Sequence, residues 1–295
     1  MNSQQSNRQK ARVGIAGLGR MGRAMAARLA SQDFAVAGWT RSGITAALAR
    51  DLRITAHATV ADMAAASDIV LLSLSDDAAV TEIVGQLVRG DLTGKLIVDT
   101  STVSPDTLRQ LAGAINEAGG AALDAPISGG PDLVLAGKAG FYIGGAAADF
   151  ERFRPAAEAM SNRVHHVGAL GEGAAAKIVN NMLLLGFWGC LKEAVQVGKR
   201  AGLVAETMMK VLAGSPAATP LLAQRASVIL GQSDEVGFTI SGVVKDGAMF
   251  TRTAQQYGVA VPAIEAALAS YRACERAGFG DADFAVMIRA AYSEA

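Results

Sequence analysis

The chain has 295 residues, of which 51% are hydrophobic and 18% are charged, and its formal net charge is zero. This length favours two domains of about 100–200 residues each, and the apolar content excludes global disorder. A neutral charge balance does not indicate binding to nucleic acid or to an anionic membrane surface. We therefore expect neither a nucleic-acid partner nor a membrane partner.

The two cysteines, Cys190 and Cys274, have no second cysteine or histidine at metal-ligand spacing. This predicts two reduced thiols and no metal site. The polar segment 1–10 lacks the apolar core of a signal peptide, and no apolar run approaches the ~20 residues of a membrane span. We expect a cytoplasmic protein.

Short apolar runs alternate with helical patterns in the first half of the chain, which predicts βαβ units and a mostly parallel sheet. A helix is predicted from Arg20 to Ser31. The predicted strands are Val13–Ala16, Phe34–Trp39, Ile69–Leu72, Leu96–Asp99, Ala121–Asp124, Phe141–Ile143 and Val164–Val167.

The second half is almost wholly helical in pattern from Gly171 onward. One long helix is predicted from Ala174 to Ala201, apolar enough to be buried on every side. The pattern is interrupted at Gly202, Pro216, Pro220, Gly237 and Pro262. The predicted fold class is therefore α/β, with a Rossmann-type parallel-sheet domain over residues 11–170 and an all-α domain over residues 171–295.

A glycine-rich loop follows the first predicted strand and opens the first predicted helix; its residues are Gly17, Leu18, Gly19, Arg20, Met21 and Gly22. In that context G-x-G-x-x-G is typical of a dinucleotide site. The first glycine allows a tight turn, the second lets a pyrophosphate approach the backbone, and the third lets helix and strand pack closely. Backbone N–H groups then face the phosphates. The alternative is a glycine-rich turn without a ligand.

The second predicted strand ends at Trp39 and is followed by Thr40, Arg41 and Ser42. An NAD site usually has an acidic residue here to bind the ribose 2′-hydroxyl, and this chain has none. The Arg41 guanidinium and the two neighbouring hydroxyls suit a 2′-phosphate instead. We expect NADP(H) to be favoured over NAD(H); the alternative is that Arg41 is a solvated loop cation.

Polar residues follow two later strands, where ligands collect in parallel sheets. Ser101 and Thr102 come after the strand that ends at Asp99. Ser128, Gly129 and Gly130 offer a hydroxyl and backbone N–H groups that suit a carboxylate. A turn without a ligand is equally compatible with the second segment.

Lys177 and Asn181 lie four residues apart and share one face of the predicted long helix. The lysine either extends to the surface or lies in a cleft where it can transfer protons. Two consecutive asparagines in an apolar helix favour the second interpretation, because buried amides need partners. On local grounds, Lys245 and Asp246 are interpreted as an intrahelical or surface charge pair.

In this order, the motifs resemble the β-hydroxyacid dehydrogenase family, which includes 3-hydroxyisobutyrate dehydrogenase, tartronate semialdehyde reductase and glyoxylate/succinic semialdehyde reductases. The resemblance runs from Val13 to about Ala285. It rests on the glycine loop and the Met-Gly-x-x-Met-Ala pattern at its end, and on the segments Asp99–Pro105, Asp124–Gly130, Gly171–Asn181, Lys245–Asp246 and Gly278–Asp283.

The resemblance implies that Lys177 is the general acid/base and that Asn181 keeps the substrate and the lysine in place. It implies that the helical domain binds substrate and forms dimers or tetramers. The implied substrate-binding residues are Ser101, Thr102, Ser128, Gly129 and Gly130. The predicted cofactor-binding residues are Gly17, Leu18, Gly19, Arg20, Met21, Gly22, Thr40, Arg41, Ser42, Leu74, Ser75 and Thr102. The resemblance adds Lys245, with Asp246 supporting Lys245.

Two segments depart from the family's pattern. Ser73-Leu74-Ser75 replaces the usual Leu-Pro or Val-Pro after Leu72, and Gly137-Lys138-Ala139 replaces the usual Gly-Thr-Leu.

From the motifs and the resemblance together, we expect an NADP(H)-dependent oxidoreductase that interconverts a short 3-hydroxy acid and its 3-oxo acid or semialdehyde. Reduction of an imine or a bulkier ketone is the alternative, although imine reductases usually lack the lysine. A non-catalytic dinucleotide-binding protein is a third hypothesis.

Overall fold

The computed structural model describes residues 10–293, so the predicted polar leader lies outside it up to residue 9. Every strand predicted from the sequence overlaps an observed strand, and two short strands, β3 and β7, are additional. The strands are β1 (Val13–Ala16), β2 (Val36–Trp39), β3 (Thr55–Ala56), β4 (Ile69–Leu72), β5 (Leu96–Asp99), β6 (Ala121–Asp124), β7 (Ile127–Ser128), β8 (Ala139–Gly144) and β9 (Ser161–Gly168).

Helices lie between most of these strands and dominate the described chain after β9. Among the strands lie α1 (Arg20–Ser31), α2 (Ala46–Leu52), α3 (Val60–Ala65), α4 (Asp77–Leu87), α5 (Pro105–Glu117), α6 (Pro131–Leu135) and α7 (Ala147–Met160). After them come α8 (Glu172–Arg200), α9 (Ala205–Ala213), α10 (Pro220–Ile229), α11 (Ile240–Gln256), α12 (Pro262–Cys274) and α13 (Val286–Ser293), with a π-helical turn at Glu275–Phe279.

The strands form one sheet in the order β3-β2-β1-β4-β5-β6-β8-β7, and β9 pairs with β8. From β3 to β6 all neighbours are parallel, whereas β8 is antiparallel to β6 and β7. The predicted α/β class with a mostly parallel sheet is confirmed. The strand order reverses between β1 and β4, and ligands in such sheets bind beside that point at the carboxyl ends of the strands.

Both faces of the sheet are covered by helices. Successive strand residues point to opposite faces, so Val13 and Ile15 join the core under α1, α6 and α7. Val70 and Leu72 join a second core under α3, α4 and α5. Burial on both faces explains why these strands appear in the sequence as continuous apolar runs rather than as alternating ones.

The chain divides into two units, residues 1–177 and residues 178–295, and the division falls inside α8. The second unit has its own helical core. Trp188 is fully buried there and makes an edge-on contact with Phe284 at a ring-centroid distance of 4.8 Å. Large aromatic side chains supply much of the apolar area that such a small helical unit can bury.

The expectation that the long helix is buried on every side is wrong for the single chain. Val179, Leu183 and Val197 are 62%, 73% and 69% exposed, and Cys190 is also exposed. At 100° per residue these four positions fall on one face of α8. By length and composition alone α8 is the one described helix that could cross a membrane, with 39% of its most apolar window buried; its opposite face belongs to the helical core.

The turn between β1 and α1 depends on glycine at two positions. Gly17 has a φ of +100°, where side chains other than glycine are strained. A Cβ at Gly22 would lie 1.9 Å from the Gly17 carbonyl oxygen, whereas a Cβ at Gly19 would meet nothing within 4 Å. Gly17 and Gly22 therefore shape the turn, and Gly19 faces open space.

We expect Gly22→Ala to lower the free energy of unfolding by about 1–3 kcal/mol, because the added carbon overlaps a backbone oxygen. Gly19→Ala is the matched control, since its backbone is extended and the site has room. This control should stay within about 0.5 kcal/mol of the unchanged protein. Urea unfolding of both variants measures the difference, and equal losses would contradict the packing role of Gly22.

Candidate active site

The loops that follow β1, β4, β5 and β6 lie at one edge of the sheet, because these strands are parallel neighbours. Hydrogen bonds connect them: Ser73 N donates to Ala16 O at 2.9 Å, and Leu74 N donates to Ser101 Oγ at 2.9 Å. The structure therefore brings together the glycine loop, the Leu74–Ser75 segment and the Ser101–Thr102 segment.

The glycine loop leaves the first turn of α1 open to an anion. Gly19 is the N-cap and provides no side-chain hydrogen bond, and the first turn contains no acidic residue. The N–H groups at a helix start have no partners within the helix, and the helix dipole makes this end positive. With open space at Gly19, the loop fits the pyrophosphate of a dinucleotide.

Arg41 lies two residues after the end of β2 and pairs with Glu82 of α4, with 2.5 Å between guanidinium and carboxylate. The two side chains are 71% and 51% exposed, and exposed pairs of this kind contribute only about 0–1 kcal/mol. A phosphate could therefore compete for the Arg41 guanidinium. The sequence did not indicate Glu82, because it lies 41 residues away in another helix.

Ser101 is buried and its polar atoms are already engaged. Its Oγ accepts from Leu74 N and its backbone N–H donates to Asp99 Oδ1 at 2.9 Å. Ser101 therefore orders the loop after β4, while its neighbour Thr102 is only partly buried. Of these two residues, Thr102 is the better placed to contact a ligand.

Two buried carboxylates end neighbouring strands, since Asp99 of β5 and Asp124 of β6 are paired in register. Burial raises the pKa of Asp99 to about 6, and the charge of Asp124 adds to this effect. Burial also raises the pKa of Asp124, while backbone N–H groups that donate to it oppose the shift. Both carboxyl groups therefore bind protons more readily than exposed aspartates do.

Lys177 lies near the start of α8 and is only 9% exposed. Its Nζ donates to Ile127 O at 2.6 Å, and Ile127 directly precedes Ser128 in β7. The lysine therefore does not extend to the surface, which removes the first of the two interpretations drawn from the sequence. Its amine lies beside the segment that was predicted to bind a carboxylate.

That segment has the geometry of an open turn. Ser128 ends β7, Gly129 has a φ of +117°, and Gly130 is the N-cap of α6 without a side-chain hydrogen bond. A Cβ at Gly130 would meet nothing within 4 Å. Backbone N–H groups beside open space suit an anionic group.

Asn181, Lys245 and Asp246 belong to the second unit. Asn181 Oδ1 accepts from Asn180 Nδ2 at 3.0 Å, and the Lys245 ammonium lies 2.9 Å from the Asp246 carboxylate. Asp246 is buried, whereas Lys245 is half-exposed. Their predicted roles toward substrate and cofactor stay predictions.

Comparisons with known proteins agree with this organisation. A family model described as the NAD binding domain of 6-phosphogluconate dehydrogenase matches residues 12–168. A second model, described as NAD-binding of NADP-dependent 3-hydroxyisobutyrate dehydrogenase, matches residues 171–291. Together the two models span nearly the whole chain.

Full-length relatives carry related names. The chain is 30% identical to an NAD-dependent L-serine dehydrogenase of Pseudomonas aeruginosa, over 93% of this chain and 96% of that one. It is 29% identical to 2-(hydroxymethyl)glutarate dehydrogenase of Eubacterium barkeri, over 94% of each chain.

A solved structure of 3-hydroxyisobutyrate dehydrogenase from Mycobacterium tuberculosis, with L-serine, matches with a TM-score of 0.86 and 26% identity. The match covers 95% of this chain and 99% of that one. Solved imine reductases share the fold at lower identity, which shows the architecture alone. The chain belongs to the β-hydroxyacid dehydrogenase family and is an NAD(P)-dependent oxidoreductase that acts on CH–OH groups.

Proposed function

We propose that the protein interconverts a short 3-hydroxy acid and the corresponding 3-oxo acid or semialdehyde with NADP(H). The observation that carries the proposal is the buried Lys177 amine, bonded to Ile127 O directly before Ser128. The names of the relatives support the substrate class. L-serine and 2-(hydroxymethyl)glutarate both have one carbon between the hydroxyl-bearing carbon and a carboxylate.

Lys177 is the proton-transfer group in this proposal. When bound, the nicotinamide supplies or accepts the hydride at the reacting carbon. In reduction the Lys177 ammonium gives a proton to the carbonyl oxygen, and in oxidation the neutral amine takes the hydroxyl proton. Asn181, four residues later in α8, positions the substrate and the lysine.

The substrate carboxylate binds at Ser128, Gly129 and Gly130. The left-handed Gly129 and the open position at Gly130 support this, because they leave backbone N–H groups near unfilled space. Ser101 orders the pocket wall and Thr102 contacts the ligand. A carboxylate at this turn would lie close to the lysine, and this arrangement orients the hydroxyl carbon for reaction.

NADP(H) is the favoured cofactor because the loop that follows β2 contains an arginine, Arg41, between two hydroxyl residues and has no acidic residue there. The cofactor contacts are those of the glycine loop from Gly17 to Gly22, Thr40, Arg41, Ser42, Leu74, Ser75, Thr102 and Lys245. Glu82 competes with the 2′-phosphate for Arg41, so the ion pair must open when NADP(H) binds. An exposed pair is weak enough to allow this.

The active protein is a cytoplasmic homodimer or homotetramer. The support for assembly is the apolar face of α8 that includes Val179, Leu183 and Val197, each more than 60% exposed in the single chain. Exposed apolar faces of this extent usually mark contacts with another protein surface. A second copy of the chain would cover this face.

Lys177→Met tests the chemistry. We expect kcat to fall by about 10²–10⁴-fold, the usual contribution of a general acid/base, while the Kd for NADPH changes less than about twofold. Steady-state assays and fluorescence titration measure the two quantities. Lys192→Ala is the matched control, because this lysine of the same helix contacts Ser270. Unchanged turnover in Lys177→Met would eliminate the proposed role.

The same assay distinguishes the substrate classes. A panel of 3-hydroxy acids, semialdehydes and cyclic imines is tested with both cofactors. We expect turnover of at least one 3-hydroxy acid or semialdehyde and its loss in Lys177→Met. Turnover of imines alone would favour the imine reductase alternative.

Arg41→Ala tests the cofactor preference. Loss of charge-assisted hydrogen bonds worth about 1.5–3 kcal/mol should raise the Kd for NADPH roughly 10- to 100-fold. The Kd for NADH should change little, since NADH has no 2′-phosphate. Glu82→Gln should tighten NADPH binding, and Arg50→Ala in α2 is the control. If Arg41→Ala weakens both cofactors equally, the preference does not depend on this residue.

Leu183→Glu tests the assembly. A charge in the apolar face of α8 should convert the dimer or tetramer to a monomer, as measured by light scattering coupled to size-exclusion chromatography. Glu206→Lys, an exposed change in α9, should leave the mass unchanged. If the protein without the substitution is a monomer, or if the Leu183→Glu variant remains oligomeric, this face is not the interface.

A further inference from the structure

A buried carboxylate connects β6 to the start of the helix that carries Lys177. Asp124 Oδ1 accepts from Gly171 N, and Oδ2 accepts from Ala174 N, both at 2.6 Å. Asp124 is 2% exposed. The N–H groups at a helix start have no partners within the helix. One oxygen of Asp124 satisfies such a donor in the first turn of α8, at Ala174, and the other accepts from Gly171, the residue before the helix.

The lysine itself provides a second connection between the same two segments. Lys177 Nζ donates to Ile127 O. Lys177 lies three residues after Ala174, and Ile127 lies three residues after Asp124. Two kinds of hydrogen bond therefore join the segment Asp124–Ile127 to the start of α8. Asp124 accepts from backbone N–H groups there, and Ile127 O accepts from the Lys177 amine.

Glycines make the carboxylate contact possible. A Cβ at Gly173 would lie 2.8 Å from Asp124 Oδ2 and 2.4 Å from Tyr142 O. A Cβ at Gly144 would lie 2.5 Å from Asp124 Oδ1. Any other residue at either position would separate the helix start from β6. The spacing Gly171-x-Gly173-x-x-x-Lys177 thus allows the Asp124 carboxylate to contact the helix start and the Lys177 amine to reach Ile127 O.

The charge of Asp124 suits its position. Burial disfavours the ionised form, but the N–H groups and the positive end of the α8 dipole favour it. Arg109, whose Nε donates to Leu170 O at 2.7 Å, also favours the ionised form. A neutral asparagine would have one acceptor oxygen for two N–H donors, so one contact with the helix start would be lost.

We propose that Asp124 is a positioning residue that fixes the first turn of α8 and thereby places the Lys177 amine for proton transfer. This rests on the proposed role of Lys177 as the general acid/base. Asp124 does not touch substrate; it acts through the lysine. Displacement of a reacting group by about 1 Å can lower turnover on the order of 10²-fold.

A double-mutant cycle between Asp124→Asn and Lys177→Met tests the proposal. We expect Asp124→Asn to lower kcat roughly 10- to 100-fold with the Kd for NADPH nearly unchanged. In the Lys177→Met background the same substitution should change the residual kcat by less than about twofold, because the group through which it acts is gone. Equal factors in both backgrounds would overturn the proposal.

Asp283→Asn is the matched structural control. Asp283 is 1% exposed and also accepts backbone N–H groups, from Gly237 at 2.8 Å and Ala285 at 3.0 Å, but it belongs to the second unit. Its substitution should reduce thermal stability and change kcat by the same factor in the unchanged protein and in the Lys177→Met variant. Should Asp124→Asn not fold, Gly173→Ala displaces the helix start without altering the carboxylate and should give the same non-additivity.

The outcomes separate this inference from the proposed function. Full turnover in Lys177→Met overturns the general acid/base assignment and this inference with it. Loss of turnover in Lys177→Met together with normal kcat in Asp124→Asn and in Gly173→Ala overturns the positioning role alone.

Discussion

The N–H groups at the start of each helix need acceptors, and this chain supplies side-chain acceptors at some helix starts and none at others. Ser104 caps α5 and Asp76 caps α4 with side-chain oxygens. Asp124 performs the same task for α8 from a neighbouring strand. Gly19 at the start of α1 provides no side-chain acceptor. The starts of α6, α7, α9 and α12 also lack a side-chain cap. The start of α1 differs from them because it follows the central strand β1 at the carboxyl edge of the parallel sheet, where a dinucleotide phosphate is expected.

The need for hydrogen-bond partners also applies to the two carboxylates that are buried at the carboxyl edge of the sheet. Two carboxylates end adjacent strands in the interior, where unpaired charge is strongly unfavourable. Asp124 offsets its burial with two backbone hydrogen bonds. Asp99 accepts only from Ser101 within the described residues and has a buried Oδ2 without a hydrogen-bond partner. Burial is the main cause that raises the pKa of Asp99 to about 6, and the hydrogen bonds from Ser101 oppose this shift.

Much of the fold could be predicted from the sequence because it depends on local patterns. Strands buried on both faces appear as apolar runs, and prolines begin helices α10 and α12 where breaks were predicted. The face of α8 was predicted wrongly, because apolar composition does not reveal whether a neighbouring surface is present. Val179 and Leu183 are apolar and exposed in the single chain.

The candidate site was predictable only where its chemistry is local. The glycine loop and the Lys177–Asn181 spacing are short motifs with a physical meaning. Long-range partners could not be predicted in this way. Glu82 lies 41 residues from Arg41, and Ile127 lies 50 residues from Lys177. One of these contacts is a backbone carbonyl, which leaves no trace in residue identity.

Two attachments between the same pair of segments restrict the lysine more than either one alone. With the hydrogen bond to Ile127 O alone, the helix start could shift while the flexible lysine side chain adjusts and keeps its bond. A carboxylate on the first turn by itself would fix the backbone and leave the amine free to rotate. With both present, movement of the helix start relative to β6 must break a buried, charge-assisted bond, which is costly. The two contacts therefore hold the amine in one position, which is the preorganisation that the proposed proton transfer requires.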